Sequence, residues 1–134
     1  MIADSYDRIM LALAIWREAR GQSRDAKRGV AHVILNRIND PRWPHTAVDV
    51  VTQARQFSAF NAGDPNATKF PTIRNVQDWA AWQECCAVVD ELPTDPDLTH
   101  GANHYHSLGV GEEPTWADPE KLTCSSGVLR FYRL

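Results

Sequence analysis

A glutamate near the end of an apolar segment constrains this chain more than any other feature. The segment Leu11–Gly21 reads LALAIWREARG, and Glu18 is its acid. At about 100° per residue, Ile9, Leu13 and Trp16 form one helical stripe, and Glu18 points roughly opposite to it. The residues that flank Glu18 on its own side are apolar too, so we expect a buried helix. Burial penalises the charged form of a carboxyl group, and proteins use this to keep a general acid usable near neutral pH.

A structural ion pair is the alternative explanation for Glu18. Arg17, Arg20 and Arg37 are all candidate partners within the first part of the chain. The segment alone does not decide between a catalytic acid and a paired one.

The length and composition describe an ordinary globular domain. The chain has 134 residues, 43% of them hydrophobic and 23% charged, which predicts a single domain over residues 1–134. The net charge of −3 argues against nucleic acid as a partner. No segment approaches the roughly 20 apolar residues that cross a bilayer. We therefore expect a monomer that binds neither nucleic acid nor the membrane interior.

The beginning of the chain and its cysteines predict synthesis in the cytoplasm. The first residues, MIADSYD, lack the basic start and apolar centre of a secretory signal. The chain has an odd number of cysteines, and their spacing is not that of a metal site: Cys85, Cys86 and Cys124. We therefore expect buried, reduced thiols.

Capping residues and apolar spacing predict a mainly helical chain with little β structure. The predicted helices run from Asp4 or Ser5 to about Arg20, from Ser23 to about Asn39, from Thr46 to Ala54, and from about Asn75 to Leu92. The predicted strands are His104–Ser107 and Val128–Tyr132. Residues 55–74 form an irregular connection of the kind that is usually functional or disordered, and its phenylalanines argue against disorder.

Histidines and tryptophans supply the other candidate functional residues. His100, His104 and His106 suggest a metal site, but their neighbourhood offers no carboxylate or cysteine ligand, so we expect no metal and no cofactor. The alternative is that they line a polar groove. Trp16 and Trp79 lie on helical stripes and are predicted core residues. The remaining groove candidates lie beside prolines in predicted loops: Trp43 and Trp116.

Several blocks, taken in order, resemble the SleB/CwlJ-type cell wall hydrolase family, known from spore-cortex-lytic enzymes and phage or prophage lysins. The resemblance covers about residues 9–132. The blocks are LAIWREARGQ from Leu13, VAHVILNRI from Val30, PRWP from Pro41, VTQARQFSA from Val51, GANHYH from Gly101, PTWA from Pro114 and RFY from Arg130. No GxSxG elbow, P-loop or dinucleotide fingerprint competes with this assignment.

The resemblance implies an α+β fold, predominantly helical, that forms a lysozyme-like single domain with a small β element near the C-terminus. It implies that Glu18 is the catalytic acid and that the substrate is the glycan strand of peptidoglycan. The residues that it places along the substrate groove are Gln56, Phe57, Ser58, Asn103, His104 and Tyr105. Gln22 and His106 depart from the family pattern, which often has a second Glu and a Tyr-Asn-Pro continuation there.

The expected reaction is cleavage of the MurNAc–GlcNAc β-1,4 bond by a lytic transglycosylase that leaves 1,6-anhydromuramic ends. A hydrolase would need a second carboxylate, and Asp25, Asp49 and Asp64 lie in no block that sets them opposite Glu18. The alternatives are a hydrolytic muramidase, a zinc-dependent N-acetylmuramoyl-L-alanine amidase, and a non-catalytic glycan-binding phage module. The expected place of action is the cell wall, reached through the periplasm or from a virion, as by an endolysin.

Overall fold

Four α-helices and a three-stranded sheet form the part of the chain that the computed structural model describes, residues 4–53 and 63–134. The helices are α1 (Ser5–Ala19), α2 (Arg24–Ile38), α3 (Ala47–Thr52) and α4 (Val76–Glu91). Short 3-10 turns follow at Leu92–Thr94 and Pro119–Lys121. The strands are β1 (His104–Ser107), β2 (Leu122–Ser126) and β3 (Leu129–Tyr132).

The helices begin close to their predicted starts, and each has a capping residue. The side chains of Asp4, Ser23, Thr46 and Asn75 each accept a hydrogen bond from a backbone N–H in the first turn of the helix that follows. Each cap satisfies a donor that has no partner inside the helix. The predicted helical positions are thereby confirmed, although Ala54, the expected end of α3, lies outside the described residues.

The apolar segment of α1 is the centre of the hydrophobic core. Every residue from Leu11 to Trp16 is buried, and helices α2, α3 and α4 all pack against α1. The predicted stripe is wrong at Ile9, which is 56% exposed, because the first turns of α1 extend beyond the core. Trp16 is a core residue as expected, whereas Trp79 is only half-buried and lies outside the core cluster.

The sheet has the order β1-β3-β2, and both pairings are antiparallel. Phe131 of β3 pairs with Tyr105 of β1 and lies fully buried against Gly29 of α2. A β-carbon at Gly29 would lie only 2.4 Å from Cζ of Phe131. The absent side chain at Gly29 therefore allows the sheet to approach α2 closely.

The cysteines are free, as the sequence predicts. Cys85 is buried in α4, and burial raises the pKa of its thiol to about 12. Cys86 and Cys124 are partly buried. The Cys85 thiol is therefore protonated, and so unreactive, at neutral pH.

No helix in the described part of the chain is both long enough and apolar enough to cross a membrane.

Candidate active site

Glu18 and Tyr105 meet at the junction between α1 and the sheet. Glu18 lies in the last turn of α1 and keeps part of its side chain exposed, although its neighbours Trp16 and Ala19 are buried. Tyr105 of β1 is hydrogen-bonded to Glu18. Burial, together with the charge and the hydrogen bond of Glu18, raises the pKa of Tyr105 well above its usual value. The phenol therefore stays protonated and donates its O–H to the carboxyl group.

A buried cation, Arg37, lies beside this pair. Nε of Arg37 donates to the backbone oxygen of Asn103 at 2.7 Å, and its guanidinium group lies 5.2 Å from the centre of the Trp43 ring. Burial lowers the pKa of Arg37 to about 10, while the electrostatic interaction with Tyr105 acts to raise this pKa. Arg37 thus remains charged at neutral pH and ties α2 to the start of β1.

Arg17 and Arg20 attach the segment after residue 62 to the end of α1. Nε of Arg17 donates to the backbone oxygen of Lys69 at 3.0 Å, and its guanidinium group lies over the Phe70 ring. Arg20 donates to Oδ1 of Asn66 at 3.1 Å. These contacts hold the segment against the same helical turn that carries Glu18.

The pleat of β1 separates two residues that the sequence assigns to one groove. Tyr105 pairs with Phe131 and faces α2, whereas His104 pairs with Tyr132. Because successive side chains of a strand point to opposite faces, His104 lies on the other face of the sheet. The structure therefore brings Tyr105 to Glu18 and places His104 on the opposite face of the strand.

That opposite face carries a cluster of aromatic rings, of which Tyr132 is buried and the others are half-buried. The ring of His104 lies 4.9 Å from Trp116 and 5.9 Å from Trp43, between ring centres. His106 stacks on Tyr132 at 5.5 Å and accepts from or donates to its hydroxyl at 3.2 Å. We call Trp43, His104, His106, Trp116 and Tyr132 the aromatic face. The two tryptophans that the sequence singles out as groove candidates thus lie together.

Asn103 occupies a buried position at the start of β1. Its backbone N–H donates to the oxygen of Tyr132, and its backbone oxygen accepts from Arg37. Its amide forms a pair of hydrogen bonds with the backbone of Leu134, both at 2.9 Å, and Oδ1 also contacts Nδ1 of His104 at 2.8 Å. These contacts fix the end of the chain and the neighbouring histidine.

Sequence reasoning missed a polar clamp that positions β1. Oδ1 of Asp97 accepts from the backbone N–H and the hydroxyl of Thr99, and Oδ2 accepts from Gly101 N–H and the amide of Asn36. Burial alone would raise the pKa of Asp97, but these hydrogen bonds outweigh it and lower the pKa. The clamp holds a tight turn in which His100 and Gly101 both adopt positive φ. Only the closely spaced Asp, Thr and Gly could have indicated this turn.

The acids considered as partners of Glu18 have other contacts. Asp25 is paired with Arg28 at 2.8 Å and lies at the start of α2. Asp49 is exposed on α3, and Asp64 accepts from the backbone N–H of Asn66 in the segment after residue 62. The contacts described for these acids involve only their immediate neighbours in sequence, three residues away or closer.

The remaining predicted groove residues, Gln56, Phe57 and Ser58, lie outside the described residues. Within residues 4–53 and 63–134, the structure assembles no group of three His, Cys, Asp or Glu side chains that could hold a metal ion. His104 and His106 contact aromatic rings and polar neighbours there, as described above. The zinc amidase therefore gains no support from a ligand cluster.

Comparison with known proteins identifies the family. A family model described as cell wall hydrolase matches residues 21–132. The chain belongs to the cell wall hydrolase family. The cell wall hydrolase family expected from the sequence is thereby confirmed, although the matched range begins three residues after Glu18.

Relatives of this cell wall hydrolase are spore cortex-lytic enzymes. That of Halalkalibacterium halodurans is 32% identical over 112 residues, 83% of this chain and 30% of the relative. That of Bacillus subtilis is 36% identical over 63 residues, 44% of this chain and 21% of the relative. The chain thus spans less than a third of the length of the curated relatives that it matches.

Two solved structures share the fold. The catalytic domain of the germination-specific lytic transglycosylase SleB from Bacillus anthracis aligns with 97% of this chain and 96% of its own, with a TM-score of 0.75. The catalytic domain of the Bacillus cereus SleB protein aligns with 96% and 91%, with a TM-score of 0.69. Both are 24% identical to this chain. They confirm the α+β fold, predominantly helical with a small β element near the C-terminus.

Proposed function

We propose that this cell wall hydrolase cleaves the β-1,4 bond between N-acetylmuramic acid and N-acetylglucosamine in peptidoglycan, with Glu18 as the catalytic acid. The observation that carries the proposal is the partly exposed residue Glu18 near the end of a buried helix, with its carboxyl group hydrogen-bonded by Tyr105. The family match and the fold shared with the lytic transglycosylase domain from Bacillus anthracis support it. Residues 1–134 would act as one catalytic domain on the glycan strand.

In the first step, Glu18 gives its proton to the glycosidic oxygen while the bond from this oxygen to the anomeric carbon of muramic acid breaks. The N-acetylglucosamine end leaves as an alcohol, and positive charge develops at the anomeric carbon. The carboxylate left on Glu18 accepts the Tyr105 hydrogen bond, which is stronger to a charged acceptor than to a neutral one. Tyr105 is therefore suited to stabilise the product form of the acid.

In the second step, the C6 hydroxyl of the same muramic acid attacks the anomeric carbon and forms the 1,6-anhydro bond. Glu18 takes the proton of this hydroxyl and returns to its starting form. An attack within one sugar replaces a second protein group by proximity. The contacts of Asp25, Asp49 and Asp64 supply no reason to route the reaction through one of them.

The groove contacts of Gln56, Phe57, Ser58 and His104 remain part of the proposal. Asn103, expected from the sequence to contact substrate too, is 4% exposed and its amide is bonded to Leu134, so we assign it the role of orienting His104. Polar groups at positions 56, 58 and 105 would bind N-acetyl groups and the developing charge. Because His104 lies on the opposite face of β1 from Tyr105, we assign it to sugar units away from the scissile bond.

The test is lysis of purified peptidoglycan by the full chain and by a Glu18→Gln variant. Gln has nearly the same shape but gives up no proton, so the variant should fold normally and lose lysis. A matched control is Glu120→Gln, because Glu120 is an exposed acid in the 3-10 turn before β2. Wild-type lysis by Glu18→Gln would refute the assignment.

The route by which the protein reaches the cell wall and its oligomeric state are also proposals. The relatives named above are spore cortex-lytic enzymes, and none of them bears on a phage origin. We propose a monomer acting on the cell wall, which sedimentation of the full chain would test.

A further inference from the structure

The amide of Asn103 has only one orientation that satisfies its neighbours. The backbone N–H of Leu134 donates to Oδ1 at 2.9 Å, and Nδ2 donates to the Leu134 oxygen at 2.9 Å. Rotating the amide by half a turn would set N–H against N–H and oxygen against oxygen. Asn103 is 4% exposed, so water would not relieve that mismatch. Oδ1 is therefore the atom that contacts the neighbouring histidine.

This orientation determines which nitrogen of His104 carries the proton. Nδ1 of His104 lies 2.8 Å from Oδ1 of Asn103, an atom that only accepts hydrogen bonds. Nδ1 must then be the N–H donor. In a neutral imidazole the other nitrogen, Nε2, carries a lone pair and accepts hydrogen bonds.

The surroundings keep the ring neutral. Burial and the charges of Arg37 on α2 and Arg42 in the loop after α2 lower the pKa of His104 to about 4. In the part of the chain that the structure describes, the rings in contact with His104 are the uncharged indoles of Trp43 and Trp116. None of the contacts described for residues 4–53 and 63–134 occupies Nε2 of His104.

We propose that Asn103 locks His104 as the Nδ1–H tautomer, so that Nε2 is an acceptor for a hydroxyl or acetamido N–H group of a neutral sugar on the aromatic face. The sugar class rests on the proposed function, whereas the tautomer rests on the Asn103 contacts alone. A carboxylate has no hydrogen to offer Nε2, so this nitrogen favours a hydroxyl or N–H group over a carboxylate. The partly exposed rings of Trp43 and Trp116 both contact the His104 ring. The guanidinium groups of Arg37 and Arg42 lie over Trp43, so Trp116 is the ring that offers apolar surface to a sugar.

The tautomer is measured directly by long-range ¹H–¹⁵N correlation spectra of the full chain at pH 7. Protonated and unprotonated ring nitrogens differ strongly in ¹⁵N shift, and the exposed His100 provides an internal reference. We expect a protonated Nδ1 and an unprotonated Nε2 for His104. An Nε2–H tautomer, a charged ring or rapid averaging would overturn the proposal whatever the enzymatic activity.

The ligand class is tested with tetra-N-acetylchitotetraose and two substitutions. In the wild type, the oligosaccharide should shift the Nε2 resonance of His104. His104→Phe keeps a ring without an acceptor, and His104→Gln places an amide oxygen near the position of Nε2. We expect His104→Phe to weaken binding about two- to tenfold and His104→Gln to restore part of it.

The same variants separate this proposal from the proposed function. On purified peptidoglycan, His104→Phe should raise KM and leave kcat unchanged. Wild-type oligosaccharide affinity for His104→Phe, or a lower kcat at unchanged KM, would overturn the acceptor role. If the wild type were inactive but still bound the oligosaccharide through His104, the proposed cleavage reaction would be refuted and the acceptor role of His104 would stand.

Discussion

Replacing Gly29 by alanine tests the close packing of the sheet against α2. The new β-carbon would lie 2.4 Å from Cζ of Phe131 and 2.9 Å from Cε1. Carbon atoms in contact are normally separated by about 3.5–4.0 Å, so the ring must withdraw by roughly 1 Å. Phe131 is fully buried, and its ring lies between Gly29 and Tyr105 in a packed interior.

The expected loss of stability is the difference between two effects. Overpacking a core costs about 1–3 kcal/mol, and replacing glycine by alanine within a helix returns about 0.5–1 kcal/mol. A 2.4 Å approach to a fully buried ring places the overpacking at the upper end of its range, about 2–3 kcal/mol. We therefore expect Gly29→Ala to lower the free energy of unfolding by about 1–2.5 kcal/mol. For a domain of this size, Tm should fall by about 3–8 °C.

The assay is thermal and urea unfolding followed by circular dichroism, with Gly21→Ala as a matched control. A β-carbon at Gly21 meets nothing within 4 Å, so that variant should unfold close to the wild type. Adding Phe131→Leu to Gly29→Ala should relieve the clash, and a double-mutant cycle would measure the coupling. A Gly29→Ala protein as stable as the wild type, or additive effects in the cycle, would refute this packing.

Three further predictions concern the site. Tyr105→Phe removes the donor to Glu18. A hydrogen bond to a charged group contributes about 1.5–3 kcal/mol, so kcat/KM should fall about ten- to hundredfold, and unchanged kinetics would contradict this role. Asp97→Ala leaves several donors before β1 without an acceptor and should lower the free energy of unfolding by about 2–3 kcal/mol, measured by urea titration; a loss below 0.5 kcal/mol, the range of ordinary surface changes, would contradict the clamp. The pKa of His104 falls from 6.5 to about 4 on folding, so the unfolded chain binds more protons between these values and stability should decrease as pH falls from 6.5 to 4. If the whole pKa shift contributed, the free energy of unfolding would change by about 3 kcal/mol, and solvent screening of this partly exposed ring reduces the change to about 1–2 kcal/mol. Comparing the pH dependence of unfolding of the wild type and of His104→Gln isolates the contribution of His104. Parallel pH curves for the two proteins would exclude this contribution.

Local chemistry made the helices predictable. Each helix begins after a residue whose side chain caps it, and such caps act within three residues of sequence. Strand β2 was not predicted, because its alternation is interrupted: the register with β3 shifts between Leu122 and Cys124. β2 pairs with β3, which follows it in the sequence, so the residues of β2 alone do not determine its place in the sheet.

The site was predictable only in part, because its contacts join distant segments. The apolar segment around Glu18 identified the acid, but nothing local to it indicates that Tyr105 donates to it. The pleat of β1 places His104 on the opposite face from Tyr105. The resemblance of the sequence blocks to the family does not indicate this separation. The clamp of Asp97 likewise depends on Asn36, which α2 supplies from elsewhere in the chain.

The most direct test of the central claim is mass spectrometry of the fragments that the full chain releases from purified peptidoglycan. If Glu18 acts alone as acid and then base, the fragments should end in 1,6-anhydromuramic acid, and Glu18→Gln should release none. Reducing muramic acid ends would contradict the account, because they require water and a second group to activate it.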